Sequence, residues 1–135
     1  MDIKLADNCG FCFGVKRAVS MALEAADKEH HKTVTLGPII HNPQVVGKLV
    51  DKGVGHVDSV DQVDSGTMII RSHGVGPEVY QEAQAKDLEI IDATCPHVKK
   101  AQQDAKSIIE DGRTLIILGE KNHPEVKSIN LWAGN

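Results

Sequence analysis

The sequence predicts an α/β fold built on a parallel sheet, and three observations lead to that class. Short apolar segments typical of strands alternate along the chain with longer segments of helical periodicity. Parts of this alternation recur later in the chain in the same order, which indicates a duplicated unit. With 41% hydrophobic and 25% charged residues among 135, the composition is that of a folded globular protein.

The strands are predicted from short β-rich or apolar runs. In chain order they are expected at residues 3–6, 33–36, 67–71, 88–91 and 114–118, with a weaker strand at 54–57 inside the aperiodic stretch 51–65. Gly37 and Pro38 end the second of these strands, and Gly119 ends the last.

Four helices are predicted between the strands, at residues 14–28, 43–51, 77–86 and 96–111. The first has an apolar face whose residues recur at helical spacing: Val15, Ala18, Val19, Ala22, Leu23 and Ala26. Each of the other three begins at a proline, a residue that the first turn tolerates, and Gly112 closes the last helix.

An internal repeat relates two parts of the chain. The pattern C-x-x-V-K-R-A at Cys12 recurs 83 residues later as C-x-x-V-K-K-A at Cys95, and L-G-x-x-x-H ending at His41 recurs 82 residues later, ending at His123. Helix starts look alike in many sequences, and so do strand ends, so a single match could be coincidence. Two matching motifs in the same order favour duplication. We therefore expect a first α/β repeat at 1–87 and an incomplete second repeat at 88–135, a piece of a longer protein.

Charge and cysteine content exclude several classes of protein. A net charge of −4 argues against general nucleic-acid binding, which needs a surface that neutralises phosphates. The apolar runs are too short to span a bilayer, and no secretory signal opens the chain. We therefore expect a cytoplasmic protein, in whose reducing compartment the three cysteines are thiols or metal ligands rather than disulfide halves.

The residues that could carry chemistry share one position in this scheme. Each lies beyond the C-terminal end of a predicted strand, at or near the start of a helix: Cys12, His41, His73, Cys95 and His123. Ligand sites in open parallel sheets form at that edge. Helix N-termini also direct unpaired N–H groups and positive dipole toward it, so even an acidic protein can hold an anion there.

Cys12 and Cys95 each precede a predicted helix whose first turns carry two basic residues. A helix N-terminus and nearby cations stabilise the thiolate, the form that binds iron or zinc. Other interpretations stay open: a buried cysteine acting as a small hydrophobe, a redox pair formed by Cys9 and Cys12, or a zinc site formed by the three cysteines and a histidine. Because the repeat gives Cys9 no counterpart, we favour Cys9 as incidental.

Three of the seven histidines, His41, His73 and His123, lie in loops bounded by glycine or proline at predicted strand ends. Their convergence at one sheet edge would suit phosphate or metal binding. The other four are expected at the surface or in a helix cap: His30, His31, His56 and His97. Glu125 follows His123 closely and has two interpretations, a proton donor in a dry pocket or a first-turn carboxylate stabilised by the helix dipole.

Five segments, in order along the chain, carry a resemblance to a known family. They are G-F-C-F-G-V-K-R-A at 10–18, H-N at 41–42, R-S-H-G at 71–74, D-A-T-C-P at 92–96 and H-P-E-V at 123–126. The chain resembles the 4-hydroxy-3-methylbut-2-enyl diphosphate reductases, which act last in the methylerythritol phosphate route to isoprenoids. The resemblance covers the whole chain but only about the N-terminal half of the family's usual length.

The resemblance implies a fold of three similar α/β domains around a central cavity. It also implies that Cys12 and Cys95 are two of the three cysteine ligands of a [4Fe–4S] cluster, the third lying beyond this chain, and that Cys9 is not a ligand. By the same resemblance, the three histidines His41, His73 and His123 bind the substrate diphosphate, and Glu125 relays protons to the departing hydroxyl.

The implied activity is reductive dehydroxylation of 4-hydroxy-3-methylbut-2-enyl diphosphate to isopentenyl and dimethylallyl diphosphate. Its implied partners are the substrate and an electron-donor protein such as ferredoxin or flavodoxin, with no nucleic acid and no membrane. We expect the chain alone to be inactive. The alternative is a stand-alone diphosphate- or zinc-binding α/β module that uses the three histidines without redox chemistry.

Overall fold

A computed structural model describes residues 2–7, 9–28 and 32–134 of the chain. Its strands are β1 (Thr33–Leu36), β2 (Gly55–Val57), β3 (Thr67–Ile70) and β4 (Glu89–Asp92). They form one sheet in the order β2-β1-β3-β4, and every neighbouring pair is parallel. The helices of the described residues are α1 (Phe13–Ala26), α2 (Pro43–Asp51), α3 (Pro77–Ala85), α4 (Pro96–Glu110) and α5 (Pro124–Trp132), with a 3₁₀ turn at Val60–Gln62. The predicted α/β class is confirmed.

The central strands β1 and β3 are buried at every residue, and because successive strand residues point to opposite sides, both faces of the sheet are covered there. Met68 and Ile69 are consecutive in β3 and fully buried, yet they belong to different apolar clusters. One cluster joins the sheet to α1 and α2, through residues such as Ala18, Ala22 and Leu49. The other includes Ala83 of α3 and Leu88. Helices therefore cover both faces, and the loops at the carboxyl ends of the strands stay free to form a site.

Two predicted strands are wrong. Residues 3–6 and 114–118 form no strand, and four of their apolar side chains are exposed: 78% for Ile3, 83% for Leu5, 78% for Ile116 and 93% for Leu118. A strand exists only where a neighbouring backbone supplies ladder hydrogen bonds. No strand of the described residues lies alongside either segment, so apolar composition alone was not enough to predict a strand there.

The last helix, α5, had no predicted bounds, although His123 was expected at or near the start of a helix. His123 is its N-cap and Pro124 its first residue, which is the arrangement that Cys95 and Pro96 make at α4. The other predicted helices and strands are present with end shifts of at most two residues, and these include the weak strand, where β2 comprises Gly55–Val57.

The expected division between residues 87 and 88 falls inside a continuous sheet. β4 follows that point and pairs with β3, with Met68 opposite Ile90 and Ile69 opposite Ile91. The division into repeats stays a prediction. The surface positions expected for His30 and His31 lie outside the described residues. No helix in the described part of the chain combines the length and apolar character that a membrane crossing requires.

Candidate functional site

Three imidazoles gather at the carboxyl edge of the sheet. His41 follows β1, His73 follows the adjacent strand β3, and His123 caps α5. The ring centroids of His41 and His73 are 4.8 Å apart, and those of His73 and His123 are 6.0 Å apart in an edge-on arrangement. The structure therefore brings together the three histidines that the strand-end pattern singled out, with His73 between the other two.

The N-terminal turn of α5 fixes the tautomer of His123. The backbone N–H of Glu125 donates to His123 Nδ1 at 3.3 Å. Because Nδ1 accepts this bond, the proton of the neutral ring lies on Nε2, which is left to donate to a ligand.

Helix α5 is anchored to the loop that carries His73. Ser128 Oγ lies 2.9 Å from both His73 O and Glu125 O, so its single hydroxyl proton is shared between these two carbonyls. The indole N–H of Trp132 donates to Val75 O at 2.9 Å, one turn further along the helix. These bonds hold the N-terminus of α5, with His123 and Glu125, against the loop after β3.

A buried glutamine extends this network to α4. Gln102 is 2% exposed, and its Nε2 donates to Ser128 Oγ at 3.3 Å and lies 3.5 Å from Val75 O. A buried amide needs such partners, because leaving it unpaired costs about 1–3 kcal/mol. Glycine at position 74 makes room for it, since a Cβ there would lie 2.5 Å from Gln102 Nε2.

His73 is held neutral at physiological pH. Burial lowers its pKa to about 4, and the positive charges of Arg71, His41 and His123 act in the same direction. Its Nδ1 is buried without a hydrogen-bond partner among the described residues. An uncharged, unpartnered imidazole in the middle of the group is suited to hydrogen bonding with an incoming anion.

Cys12 and Cys95 are the N-cap residues of α1 and α4, and neither is in a disulfide. Cys12 is exposed and Cys95 is half-buried. The two helix starts meet: a Cβ on Gly14, two residues after Cys12, would lie 2.5 Å from Cys95 Sγ. The starts of the two helices that these cysteines cap are therefore in contact.

The cysteine and histidine groups are joined through the strand-end loops. The backbone N–H of Cys95 donates to Ser72 O at 2.9 Å, and Ser72 directly precedes His73. Arg17 of α1 also reaches this region, where Nη1 donates to Thr94 O at 3.2 Å. One backbone hydrogen bond therefore connects the cysteine loop after β4 to the histidine loop after β3.

Asp92 fixes the turn that leads to Cys95. Its carboxylate accepts hydrogen bonds from Tyr80 Oη, Lys99 Nζ and the backbone N–H of Thr94. Burial opposes ionisation of Asp92, but the hydrogen bonds from Lys99 and Thr94 outweigh it and lower its pKa. Burial and the Asp92 charge raise the pKa of Tyr80 to about 12, so its hydroxyl stays a donor.

Glu125 occupies the first turn of α5 and is half-buried. Both interpretations of this carboxylate remain, because a first-turn position is favoured by the dipole and also lies beside His123. Cys9 is exposed. In the described part of the chain, no group of three or more His, Cys, Asp and Glu side chains is arranged to hold a metal ion.

Several positioning residues escaped the sequence analysis. Arg71 and Ser72 stood in a quoted motif without a role, and Gln102 was not distinguished from its helical neighbours. Ser128 lies on α5, whose extent was not predicted. The His-Pro pair at 123–124 was the available signal for that helix, because it repeats the Cys-Pro start of α4.

Comparison with known proteins relates the chain to one family throughout. The family model described as LytB protein matches residues 3–135. The chain is 54% identical over 135 residues to the 4-hydroxy-3-methylbut-2-enyl diphosphate reductase of Pelobacter propionicus, covering all of this chain and 48% of that protein. It is 51% identical over 133 residues to the reductase of the same name from Geobacter metallireducens, covering 98% of this chain and 47% of that protein.

Solved structures give the same relationship. A (E)-4-hydroxy-3-methyl-but-2-enyl diphosphate reductase, described as the terminal enzyme of the non-mevalonate pathway, superposes with a TM-score of 0.84 at 44% identity, covering 96% of this chain and 46% of that one. The E-1-hydroxy-2-methyl-but-2-enyl-4-diphosphate reductase from Plasmodium falciparum superposes with a TM-score of 0.87 at 30% identity, covering 95% of this chain and 41% of that one. The chain spans about half the length of the relatives it matches.

Proposed function

The chain belongs to the LytB protein family, and from that premise we propose that it is the part of a 4-hydroxy-3-methylbut-2-enyl diphosphate reductase that supplies three diphosphate-binding histidines, two cluster cysteines and a proton relay. The reaction is a reductive dehydroxylation. Two electrons and two protons replace the allylic hydroxyl with hydrogen and release water, which gives isopentenyl and dimethylallyl diphosphate.

The observation that carries this proposal is the junction between the two groups of side chains. His73, the central imidazole, is next in sequence to Ser72, whose carbonyl accepts the N–H of Cys95. A diphosphate bound at the histidines would therefore lie beside the thiols. Such positioning of a substrate next to the reacting group is a main source of rate in enzymes.

The cysteines present fit an iron–sulfur cluster in part. Both are free thiols at helix N-termini, and the absence of a side chain at Gly14 leaves room around Cys95 Sγ. Cys12 and Cys95 would hold two irons of a [4Fe–4S] cluster, and a third cysteine would come from outside this chain. When bound, such a cluster supplies electrons and Lewis acidity toward the allylic oxygen.

The chain's own residues bind and orient the substrate. The neutral His73 and Nε2 of His123 donate hydrogen bonds to diphosphate oxygens, and His41 completes the row. Glu125, held beside His123 by the first turn of α5, delivers the proton that the departing hydroxyl needs.

The proposal includes the organisation and partners expected from the sequence. The corresponding N-cap positions of Cys12 and Cys95 support a first repeat at 1–87 and the start of a second at 88–135, with the boundary inside one sheet. The electrons would come from a donor protein such as ferredoxin or flavodoxin. The cytoplasmic location stays a prediction.

The experiment is turnover by the full-length protein that contains this segment. Anaerobic reconstitution with iron and sulfide, followed by reductant and 4-hydroxy-3-methylbut-2-enyl diphosphate, should yield both isoprenoid diphosphates by mass spectrometry. The 135-residue chain treated in the same way should hold no stable cluster and form no product. Absence of product from the reconstituted full-length protein, or stable cluster incorporation by the chain alone, would contradict the proposal.

A further inference from the structure

Arg71 forms no ion pair with an acidic side chain of the described residues. It follows β3, two residues before His73, and is half-buried. Its Nε is buried with no hydrogen-bond partner, and its guanidinium forms no ion pair or hydrogen bond with any of the described residues. Arg71 Nη1 lies close to Gly37, and a Cβ on Gly37 would be 2.8 Å from that nitrogen. The absence of a side chain at Gly37, directly after β1, therefore leaves space for the guanidinium.

Withdrawing a charged guanidinium from water without a partner is unfavourable in free energy. Burial lowers the pKa of Arg71, but an arginine stays protonated in proteins, so the charge remains. A buried charge is normally paired, since desolvation without compensation is expensive. An unpaired one in a cleft is a candidate for binding the opposite charge.

The cavity beside Arg71 is lined by residues adjacent in sequence to His73 and His123, and Lys127 also contributes to its lining. It has a volume of about 360 Å³, and its lining includes Gly74, Asn122 and Pro124, the neighbours of His73 and His123. Asp58 and Glu78 also line it. The Glu78 carboxylate lies against Gly76 at the start of α3, within 2.6 Å of the position that a Cβ on Gly76 would occupy. Asp58 is exposed.

The histidines do not supply a fixed charge by themselves. His73 is neutral at physiological pH, partly because of Arg71. A diphosphate carries several negative charges, and the neutral imidazole of His73 offers it hydrogen bonds only. The nearest permanent cation on the His73 loop is Arg71.

We propose that Arg71 is a positioning residue of the three-histidine site and supplies the fixed positive charge that holds the anionic end of a diphosphate ester. This inference rests on the proposed function, since it takes the histidines to bind diphosphate. It adds a residue that the histidine pattern did not include.

The test measures binding of inorganic diphosphate to the 135-residue chain by calorimetry at neutral pH and low salt. Arg71→Gln should weaken binding by about ten-fold or more, the effect of losing a charge-assisted contact. Arg71→Lys, which keeps the charge, should retain most of the affinity. Arg113→Gln is the matched control, because Arg113 is exposed and paired with Asp111.

A thermal melt separates this role from a structural one. Without diphosphate, Arg71→Gln should melt at or above the wild-type temperature, because it removes an uncompensated charge. Diphosphate should raise the melting temperature of the wild type much more than that of Arg71→Gln. A variant that unfolds or melts well below the wild type would make Arg71 structural and overturn the inference.

Two further outcomes also overturn it: wild-type affinity in Arg71→Gln, or no diphosphate binding by the wild-type chain. Failure of the reductase proposal would look different. In that case diphosphate would bind and depend on Arg71, while the reconstituted full-length protein would form no isoprenoid product.

Discussion

Gly14 of α1 and Cys95 at the start of α4 are in direct contact. A Cβ on Gly14 would lie 2.5 Å from Cys95 Sγ and 3.0 Å from Cys95 Cβ. Glycine inside a helix is unfavourable by about 1 kcal/mol relative to alanine, so its presence in the first turn has a reason. The reason here is the close approach of two helix N-termini, each capped by a cysteine.

Gly14→Ala should destabilise the chain although alanine is the better helix former. The gain of about 1 kcal/mol in helix propensity is outweighed by overlap with the sulfur, for which overpacking typically costs about 1–3 kcal/mol. Urea unfolding measures the difference. Gly47→Ala in α2 is the control, because no atom lies within 4 Å of its added Cβ, and it should gain about 0.5–1 kcal/mol. Equal stabilisation of both variants would contradict the contact.

Ser128→Ala should loosen α5 from the loop that carries His73. It removes the hydroxyl that serves His73 O and Glu125 O and that accepts from Gln102, and so leaves buried polar groups unpaired. We expect a loss of about 1–3 kcal/mol in the free energy of unfolding. Ser107→Ala, at an exposed position of α4, should change stability by less than about 0.5 kcal/mol. Similar small effects for the two would argue against the network.

Stability should fall as the pH is lowered from about 6.5 to about 4, in part through His73. Its pKa is about 4 in the folded chain, against 6.5 for the ordinary side chain. Within this window the unfolded chain takes up a proton at His73 that the folded chain does not, so acid favours unfolding; above it both states are neutral. His73→Gln should flatten this part of the stability curve. His56→Gln, at an exposed strand position, should leave the slope unchanged, and identical slopes in all three proteins would refute the buried, neutral His73.

Glu125→Gln should lower kcat of the full-length enzyme with little change in KM. A general acid typically contributes about 10²–10⁴-fold to the rate, whereas the histidines would still bind the diphosphate. Steady-state kinetics with the reduced, reconstituted protein measure both parameters. Glu120→Gln, an exposed carboxylate just before the same helix, serves as the control. A kcat equal to that of the wild type would mean that Glu125 is only a first-turn carboxylate stabilised by the helix dipole and does not transfer a proton.

The sheet and most helices were predictable because their signals are local. The helical spacing of Ala18 and Ala22 indicates the buried face of α1, and the apolar run of β3 indicates a buried strand. The structure buries those residues. The position of the candidate site followed from topology, since parallel strands bring their carboxyl ends to one edge.

What sequence analysis missed depends on contacts that are distant along the chain. Residues 114–118 have strand composition, but pairing requires a neighbour, and the described residues provide none. The Gln102–Ser128 bond and the isolation of Arg71 are likewise set by which helix lies over which loop. No periodicity or spacing reports such contacts.

The most direct measurement is iron and acid-labile sulfide content, with turnover, in full-length protein carrying one cysteine substitution at a time. Cys12→Ser and Cys95→Ser should each lose the cluster and the activity, because both thiols lie at the converging starts of α1 and α4. Cys9→Ser should keep both properties. A Cys12→Ser or Cys95→Ser protein with wild-type iron content and turnover would contradict the central claim that these two helix starts hold the redox centre.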